Sequence, residues 1–242
     1  MQALQSVFVQ DLGLRKYKPV WDYQEKLLAA TVAIKSASYD LPASERKTEH
    51  RLLLVEHPPV YTLGKSGHVE NILISEYEML ARDIDYFKIN RGGDITFHGL
   101  QQLVGYPILD LEKFYTDIGK FLRSLEEVII KVLAHYGIKG ERSVGETGVW
   151  IDADKKGSER KICAMGVRSS RWVTMHGWAL NVNTDLTYFD NIIPCGIKDK
   201  QVTSIEKELG RKVDFEEVKT ILFTAFAEVF KVNLIPETPT MA

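Results

Sequence analysis

The chain has 242 residues, 45% hydrophobic and 26% charged, a globular composition that excludes a disordered or fibrous protein and fits one domain with a sizeable core. Its 31 Lys and Arg against 33 Asp and Glu leave a net charge of −2, without the basic excess that phosphate neutralisation requires, so no nucleic-acid partner is expected. Two cysteines make no disulfide framework, residues 1–13 lack the pattern of a secretory leader, and no apolar run approaches the ~18 residues of a membrane span.

In chain order, residues 6–9 read as a short strand. Residues 20–37 carry Trp21, Leu27, Leu28, Val32 and Ile34 at helical spacing behind Pro19. Residues 51–55 and 60–63 are apolar strands separated by the turn-forming Pro58-Pro59. A short helix is expected over 76–82, a strand over 86–89 and a buried strand over 103–109. The strongest helical signal is 117–136, with Phe121, Leu122, Leu125, Val128, Ile129, Val132 and Leu133 on one face, Thr116 as cap and Gly137 as stop. Short β-like runs follow at 148–151, 161–167, 172–175 and 178–182, with polar 152–160 as a hairpin loop. A second long helix is expected over 215–230, and a frayed tail over 236–242. Strands grouped around one long helix, without regular βαβ alternation, predict an α+β fold with a mixed or largely antiparallel sheet. The whole chain, 1–242, is expected to be a single domain.

Several familiar motifs fail. Gly64-Lys65-Ser66 resembles the end of a phosphate loop, but Pro59 stands where that loop needs its first glycine and Gly67 interrupts the helix that should follow. A surface turn is the better reading. No two glycines are separated by one residue, so the dinucleotide fingerprint is absent. The six histidines, at 50, 57, 68, 98, 135 and 176, form no i, i+4 pair and there is no Cys-x-x-Cys, so no metal is expected. The hydrolase elbow Gly-x-Ser-x-Gly is missing too.

Three segments stand apart. The first runs Arg91, Gly92, Gly93, Asp94, Ile95, Thr96, Phe97, His98, Gly99. Its glycines let backbone approach a ligand, and its Arg, Asp, Thr and His supply charge and hydrogen bonds. A ligand-binding turn and a plain surface turn fit these residues equally well. The second runs from Lys161 through Ile162, Cys163, Ala164, Met165, Gly166 and Val167 to Arg168. As a strand it turns Lys161, Cys163, Met165 and Val167 to one side. Lys161 is then a snorkelling edge residue or a placed charge. Cys163, flanked by Ile162 and Ala164, reads as a core residue. The third segment is Ile192-Ile193-Pro194-Cys195-Gly196-Ile197. Pro194 restricts the backbone before Cys195 and Gly196 removes a side chain beside it, which presents a thiol at an open turn. The competing reading is a small buried hydrophobe. A thiol with a pKa of about 8.5 is only a few per cent ionised at neutral pH, and a nearby ammonium raises that fraction. Lys161 would supply the ammonium if the fold brings the two together.

Together with His57-Pro58-Pro59-Val60-Tyr61-Thr62-Leu63-Gly64, Gln102-Leu103-Val104-Gly105-Tyr106-Pro107 and His176-Gly177-Trp178-Ala179-Leu180-Asn181-Val182-Asn183, these stretches resemble the lipoyl(octanoyl) transferase family, in the family's order across about residues 50–205. The resemblance implies the α/β fold shared with biotin and lipoate protein ligases, and a cytoplasmic acyltransferase that needs neither ATP nor cofactor. It implies octanoyl-acyl carrier protein as donor, and lipoyl domains of 2-oxoacid dehydrogenase E2 subunits and the glycine cleavage H protein as acceptors. The family's acyl-bearing cysteine falls on Cys195 and its pKa-lowering lysine on Lys161. Its substrate contacts fall on Arg91, Gly92, Gly93, Asp94, Ile95, Thr96, Phe97 and His98, on Ala164, Met165 and Gly166, and on Gly177, Trp178 and Ala179. One departure stands out: the family reads His-Gly-Pro-Gly-Gln where this chain has His98-Gly99-Leu100-Gln101-Gln102, which is expected to reshape the turn. A basic rim using Lys65, Arg168 and Arg171 is expected to meet acidic protein partners. The rival readings are an ATP-dependent lipoate or biotin ligase and a non-catalytic acyl-binding domain on the same fold.

Overall fold

Helix and strand signals translate into regular elements, and side-chain caps start several of the helices. The computed structural model describes residues 4–193 and 201–240. In chain order these form β1 (Gln5–Leu14), α1 (Tyr17–Ala37), β2 (His50–Glu56), β3 (Val60–Leu63), α2 (Glu76–Ala81), β4 (Asp85–Lys88), β5 (Ile95–His98) and β6 (Gln102–Ile108). They continue with α3 (Ile118–His135), β7 (Val149–Ile151), β8 (Arg160–Ser170), β9 (Val173–Asn181), β10 (Gln201–Val202), α4 (Ile205–Leu209), α5 (Phe215–Phe230) and β11 (Val232–Pro236).

Among the described residues, eight strands make one mixed sheet in the order β10-β8-β9-β6-β2-β1-β11, with β7 paired to β8. β1 runs parallel to β2 and to β11, and β10 parallel to β8; the other pairings are antiparallel. A smaller sheet places β3 between parallel β4 and antiparallel β5. The expected α+β architecture with a mixed sheet is present.

The large sheet is covered on one face by α3 and α5. Phe121, Leu125, Val128, Ile129 and Val132 of α3 and Val218, Leu222 and Phe226 of α5 pack there with Leu52, Leu54, Leu103, Leu180 and Trp178. Val20 and Tyr23 of α1 cover the opposite face over Leu53, Val55, Val104 and Tyr106. Strand alternation distributes Leu52 and Leu54 to one core and Leu53 and Val55 to the other.

Several boundaries move for identifiable reasons. α1 begins three residues earlier than expected, so Pro19 lies in its first turn, where a missing N–H costs nothing. α3 is capped by Asp117 and not Thr116: the Asp117 carboxylate accepts from Lys120 N at 2.9 Å. Its end matches expectation, with Gly137 N bonding Ala134 O and Ile138 N bonding Leu133 O. The two runs at 172–175 and 178–182 are one strand, β9, because His176 and Gly177 stay paired to β8. The short β10, α4 and β11 carry too little periodicity to be read from sequence. The expected tail is tied down at its start: Glu237 N donates to Val9 O at 2.8 Å, its carboxylate accepts from Gln10 and Arg51, and Thr240 bonds Tyr23.

Candidate active site

The turn at Gly64-Lys65-Ser66 is on the surface, as its failed motif suggests, yet it is stitched to the glycine-rich loop. Gly64 N donates to Asp94 O, Lys65 N to Arg91 O and Ser66 N to Gly93 O, at 3.0–3.2 Å. Gly92 N then donates to Val167 O of β8 at 3.1 Å, which fastens that loop over the large sheet. The Arg91 guanidinium is buried beneath it and donates to Thr62 O at 2.7 Å, Thr62 Oγ1 at 3.0 Å and Gly92 O at 3.0 Å. Asp94 accepts from Asn71 Nδ2 at 2.6 Å and from Ile95 N at 2.7 Å.

Between this loop and the surface of β6, β8 and β9 lies a cleft of about 760 Å³, counting its open mouth. Its lining brings together Arg91, Gly93, Asp94, Ile95, Thr96 and His98 from one side with Lys161, Ala164, Met165, Gly166, Gly177, Trp178 and Ala179 from the other. The β8–β9 register explains the floor: Ala164 faces Ala179 and Gly166 faces Gly177, so a strip of small residues runs along both strands. Gly177 admits no side chain, since a Cβ there would stand 2.1 Å from Gly105 O. Two of the expected contacts lie elsewhere. Gly92 is used in the bond to Val167, and Phe97 turns into the small-sheet core, stacked on Tyr188 at 4.6 Å.

The histidines at the cleft are buried and neutral, and each makes at least one hydrogen bond, although His176 Nδ1 has no partner. His98 Nδ1 is 2.9 Å from Gln102 Oε1; Gln102 Nε2 donates to Phe97 O and to Asn181 Oδ1, and Asn181 donates to Thr203 O. Because Gln102 accepts through Oε1, His98 carries its proton on Nδ1 and keeps a lone pair on Nε2. Burial, then the neighbouring His57 and Arg91, hold His98 well below the usual histidine range. His57 donates from Nδ1 to Arg15 O and accepts from Tyr106 Oη at Nε2, and burial lowers it to about 4. His176, at φ 58, leaves the strand alternation: its N–H goes to Gln24 Oε1 and its Nε2 donates to Asn90 Oδ1 at 3.0 Å. Burial, then Arg91, lowers it to about 3.

Sequence reading missed Tyr17, Phe189 and Val202 as cleft residues. Tyr17 comes from the first turn of α1 and stacks on His98 at 5.8 Å, and no local pattern marks it. Gln102, Tyr106, His176 and Asn181 also line the cleft and lie within stretches that carried the resemblance, where their spacing was a usable signal.

Lys161 lies at one end of the cleft, with Nζ 4.0 Å from Glu146 Oε2 and 4.5 Å from the centre of the Trp150 ring. Cys163 is fully buried in the α3–α5 core, and burial pushes its thiol far up, which makes it inert. Cys195 lies outside the described residues. Of the residues expected at a basic rim, Arg168 is paired with Glu25 at 2.6 Å and Arg171 bonds Ser36 on α1. The turn after His98 takes a left-handed step. Gln101 takes φ 60, with its N–H on Glu56 and its carbonyl accepting from Val182 N, Asn183 N and Thr184 Oγ1. Among the described residues no group of three or more His, Cys, Asp or Glu is placed to hold a metal, and no helix is long and apolar enough to cross a membrane.

Residues 16–227 match the family model of the lipoyl protein ligase A/B catalytic domain. An octanoyltransferase of Christiangramia forsetii is 58% identical over 229 residues, covering 94% of this chain and 97% of that protein. An octanoyltransferase of Flavobacterium johnsoniae is 56% identical over 232 residues, with the same shares covered. Among solved structures, the bi-partite lipoate protein ligase of Thermoplasma acidophilum superposes with a TM-score of 0.69 at 16% identity, over 98% of this chain and 88% of that one. That likeness shows a shared fold, while the sequence relatives show the branch. The chain belongs to the lipoyl protein ligase A/B catalytic domain family, on its octanoyltransferase branch.

Proposed function

We propose that this chain, acting as a single acyltransferase domain in the cytoplasm, moves an octanoyl group from acyl carrier protein to a lysine of lipoyl domains. Cys195 carries the acyl group and Lys161 manages the proton. The acceptors are lipoyl domains of 2-oxoacid dehydrogenase E2 subunits and the glycine cleavage H protein.

The observation that carries this reading is where the described chain flanks Cys195. Before it, Ile193 N donates to Asn71 O, whose side chain holds Asp94 of the cleft. After it, Val202 pairs with Lys161 on β8 and itself lines the cleft.

In the first half-reaction the Cys195 thiolate attacks the donor thioester. A new C–S bond forms, the donor C–S bond breaks, and the donor sulfur leaves with the proton of Lys161. The acyl chain lies along Ala164, Gly166, Gly177 and Ala179, under the loop that Arg91 and Asp94 fix. In the second half-reaction the acceptor amine attacks the acyl-enzyme. A C–N bond forms, the C–S bond breaks, and the amine proton passes to neutral Lys161, restoring the thiolate–ammonium pair. A thioester is already activated, so no ATP enters. His98, held neutral and bonded to Gln102, orients the wall.

The test is incubation with octanoyl-acyl carrier protein without ATP, followed by intact and peptide mass spectrometry. An octanoyl adduct on Cys195, absent in Cys195→Ser, is expected. An adduct on Cys163, or normal turnover by Cys195→Ser, overturns the assignment.

A further inference from the structure

The Gly64-Lys65-Ser66 turn is no phosphate loop, yet its backbone is committed to one task. Its three N–H groups hold the loop of Arg91 to Asp94 from above. A Cβ on Gly64 would stand 2.2 Å from Gly93 O, and one on Gly166 of β8 would stand 2.6 Å from Gly92 O. The loop is thus pressed between two positions that admit no side chain, and Gly92 N fastens it to Val167 O at 3.1 Å. At Gly166 the roof rests on the floor, which closes the cleft at the end away from Lys161.

Arg91 fills that closed end. Its Cδ lies 3.2 Å, and its Nη1 3.5 Å, from where a Gly166 Cβ would stand, and the residue lines the cleft while being only 8% exposed. A cation is an unexpected end for a slot floored by Ala164, Gly166, Gly177 and Ala179. Its hydrogen bonds explain the choice. An apolar end wall can rotate or repack to make room. This guanidinium moves only by giving up Thr62 O, Thr62 Oγ1 and Gly92 O, the first two on a fully buried residue. Leaving one buried acceptor unmet weighs roughly 5- to 150-fold in an equilibrium constant.

We propose that Arg91 is the specificity-determining residue for acyl length: its side chain, locked between Thr62 and the Gly92–Gly166 contact, is the stop on which the terminal methyl of an octanoyl chain rests. The proposal rests on the acyl chain lying along the β8–β9 strip, as in the reaction above. Two further carbons lengthen an extended chain by about 2.4 Å, since three chain bonds span up to ~3.6 Å. A decanoyl chain must then displace the guanidinium or buckle beneath a roof that Gly64 holds down. Shorter chains enter freely but bury less surface, so each missing methylene weakens transfer about fourfold.

The experiment gives the full chain paired mixtures of hexanoyl-, octanoyl-, decanoyl- and dodecanoyl-acyl carrier protein, with a lipoyl domain as acceptor and no ATP. Mass spectrometry of the lipoyl domain reads the product ratio. Both donors compete for one enzyme, so any loss of folded protein cancels from that ratio. Wild type should favour octanoyl over hexanoyl by about 15-fold and over decanoyl by about tenfold or more. Arg91→Ala should raise the decanoyl-to-octanoyl ratio by about tenfold or more. Arg91→Met, which keeps much of the bulk but none of the hydrogen bonds, should raise it by less, because a flexible unbonded chain yields. Ala164→Val adds bulk to the same strip nearer Lys161 and should move the preference from octanoyl to hexanoyl. Wild type that carries dodecanoyl as readily as octanoyl, or Arg91 variants that keep the wild-type ratio, overturns the stop alone. An unmoved length profile in Ala164→Val places the acyl chain elsewhere and removes the strip and the stop together. Absence of transfer from every donor in wild type removes the proposed reaction itself.

Discussion

The two faces of the large sheet are made from the same strands and solve opposite problems. Toward α3 and α5 the described side chains form a large apolar core: Phe121 and Phe226 crowd Phe230, and Trp178 packs on Phe226 at 6.3 Å. Toward the glycine-rich loop, β8 and β9 offer Ala164, Gly166, Gly177 and Ala179, and the space they leave is the cleft. Most polar groups on that side are held by a partner, as in the chain from His98 through Gln102 and Asn181 to Thr203, while His176 Nδ1 and Gln24 Nε2 are buried without one. Stability therefore comes mainly from the filled face, and the open face keeps its shape through hydrogen bonds that cost little once satisfied.

The sharpest way to break this division is to remove bulk from the filled face. Phe121→Ala deletes a fully buried ring from the α3–α5 core and should cost about 3–5 kcal/mol in urea unfolding. Transfer per folded molecule should stay within twofold of wild type. A large loss of transfer in the folded fraction would show that the two faces are not separable.

The reverse change adds bulk to the open face. Gly177→Ala places a methyl group 2.1 Å from Gly105 O, backbone that cannot swing aside, so β6 and β9 must part locally. The expected cost is about 1–3 kcal/mol. Octanoyl transfer by molecules that remain folded should nevertheless fall by about an order of magnitude or more, since the floor of the cleft moves. Unchanged transfer would mean the acyl chain does not lie over this strip.

This asymmetry also governs what could be read from the sequence. The filled face announces itself through period: the stripe from Phe121 to Leu133 and the helix at 215–230 were legible because repeated apolar spacing marks a buried face. The cleft has no period, and its legible part was a set of unusual residues, Arg91 to His98 with Lys161 to Gly166. Tyr17 was invisible because it reaches the site through the packing of α1 on the sheet. β9 was split in the reading because His176 and Gly177 resemble a break, whereas both stay paired with Val167 and Gly166 of β8 while Gln24 of α1 takes up the His176 N–H.

Acid should act on the open face, and this is the smallest of the three effects for any one residue. His57 and His176 are buried and neutral, lowered to about 4 and about 3 by burial. In the unfolded chain each would titrate near 6.5, so between that value and the folded one the unfolded state binds the extra proton. Stability contributed by each neutral histidine is thus complete above about pH 6.5 and is lost as pH falls. At pH 5.5 the loss should be about 1.4 kcal/mol per histidine relative to pH 7.5. Protonating His57 would also remove the acceptor that Tyr106 Oη uses, loosening the wall beside Tyr17. Urea unfolding at pH 7.5 and 5.5 measures the total loss, and His57→Gln should reduce it by about one histidine's share. If that variant loses as much stability on acidification as wild type, His57 is not neutral by burial, and the open face is more hydrated than its hydrogen bonds suggest.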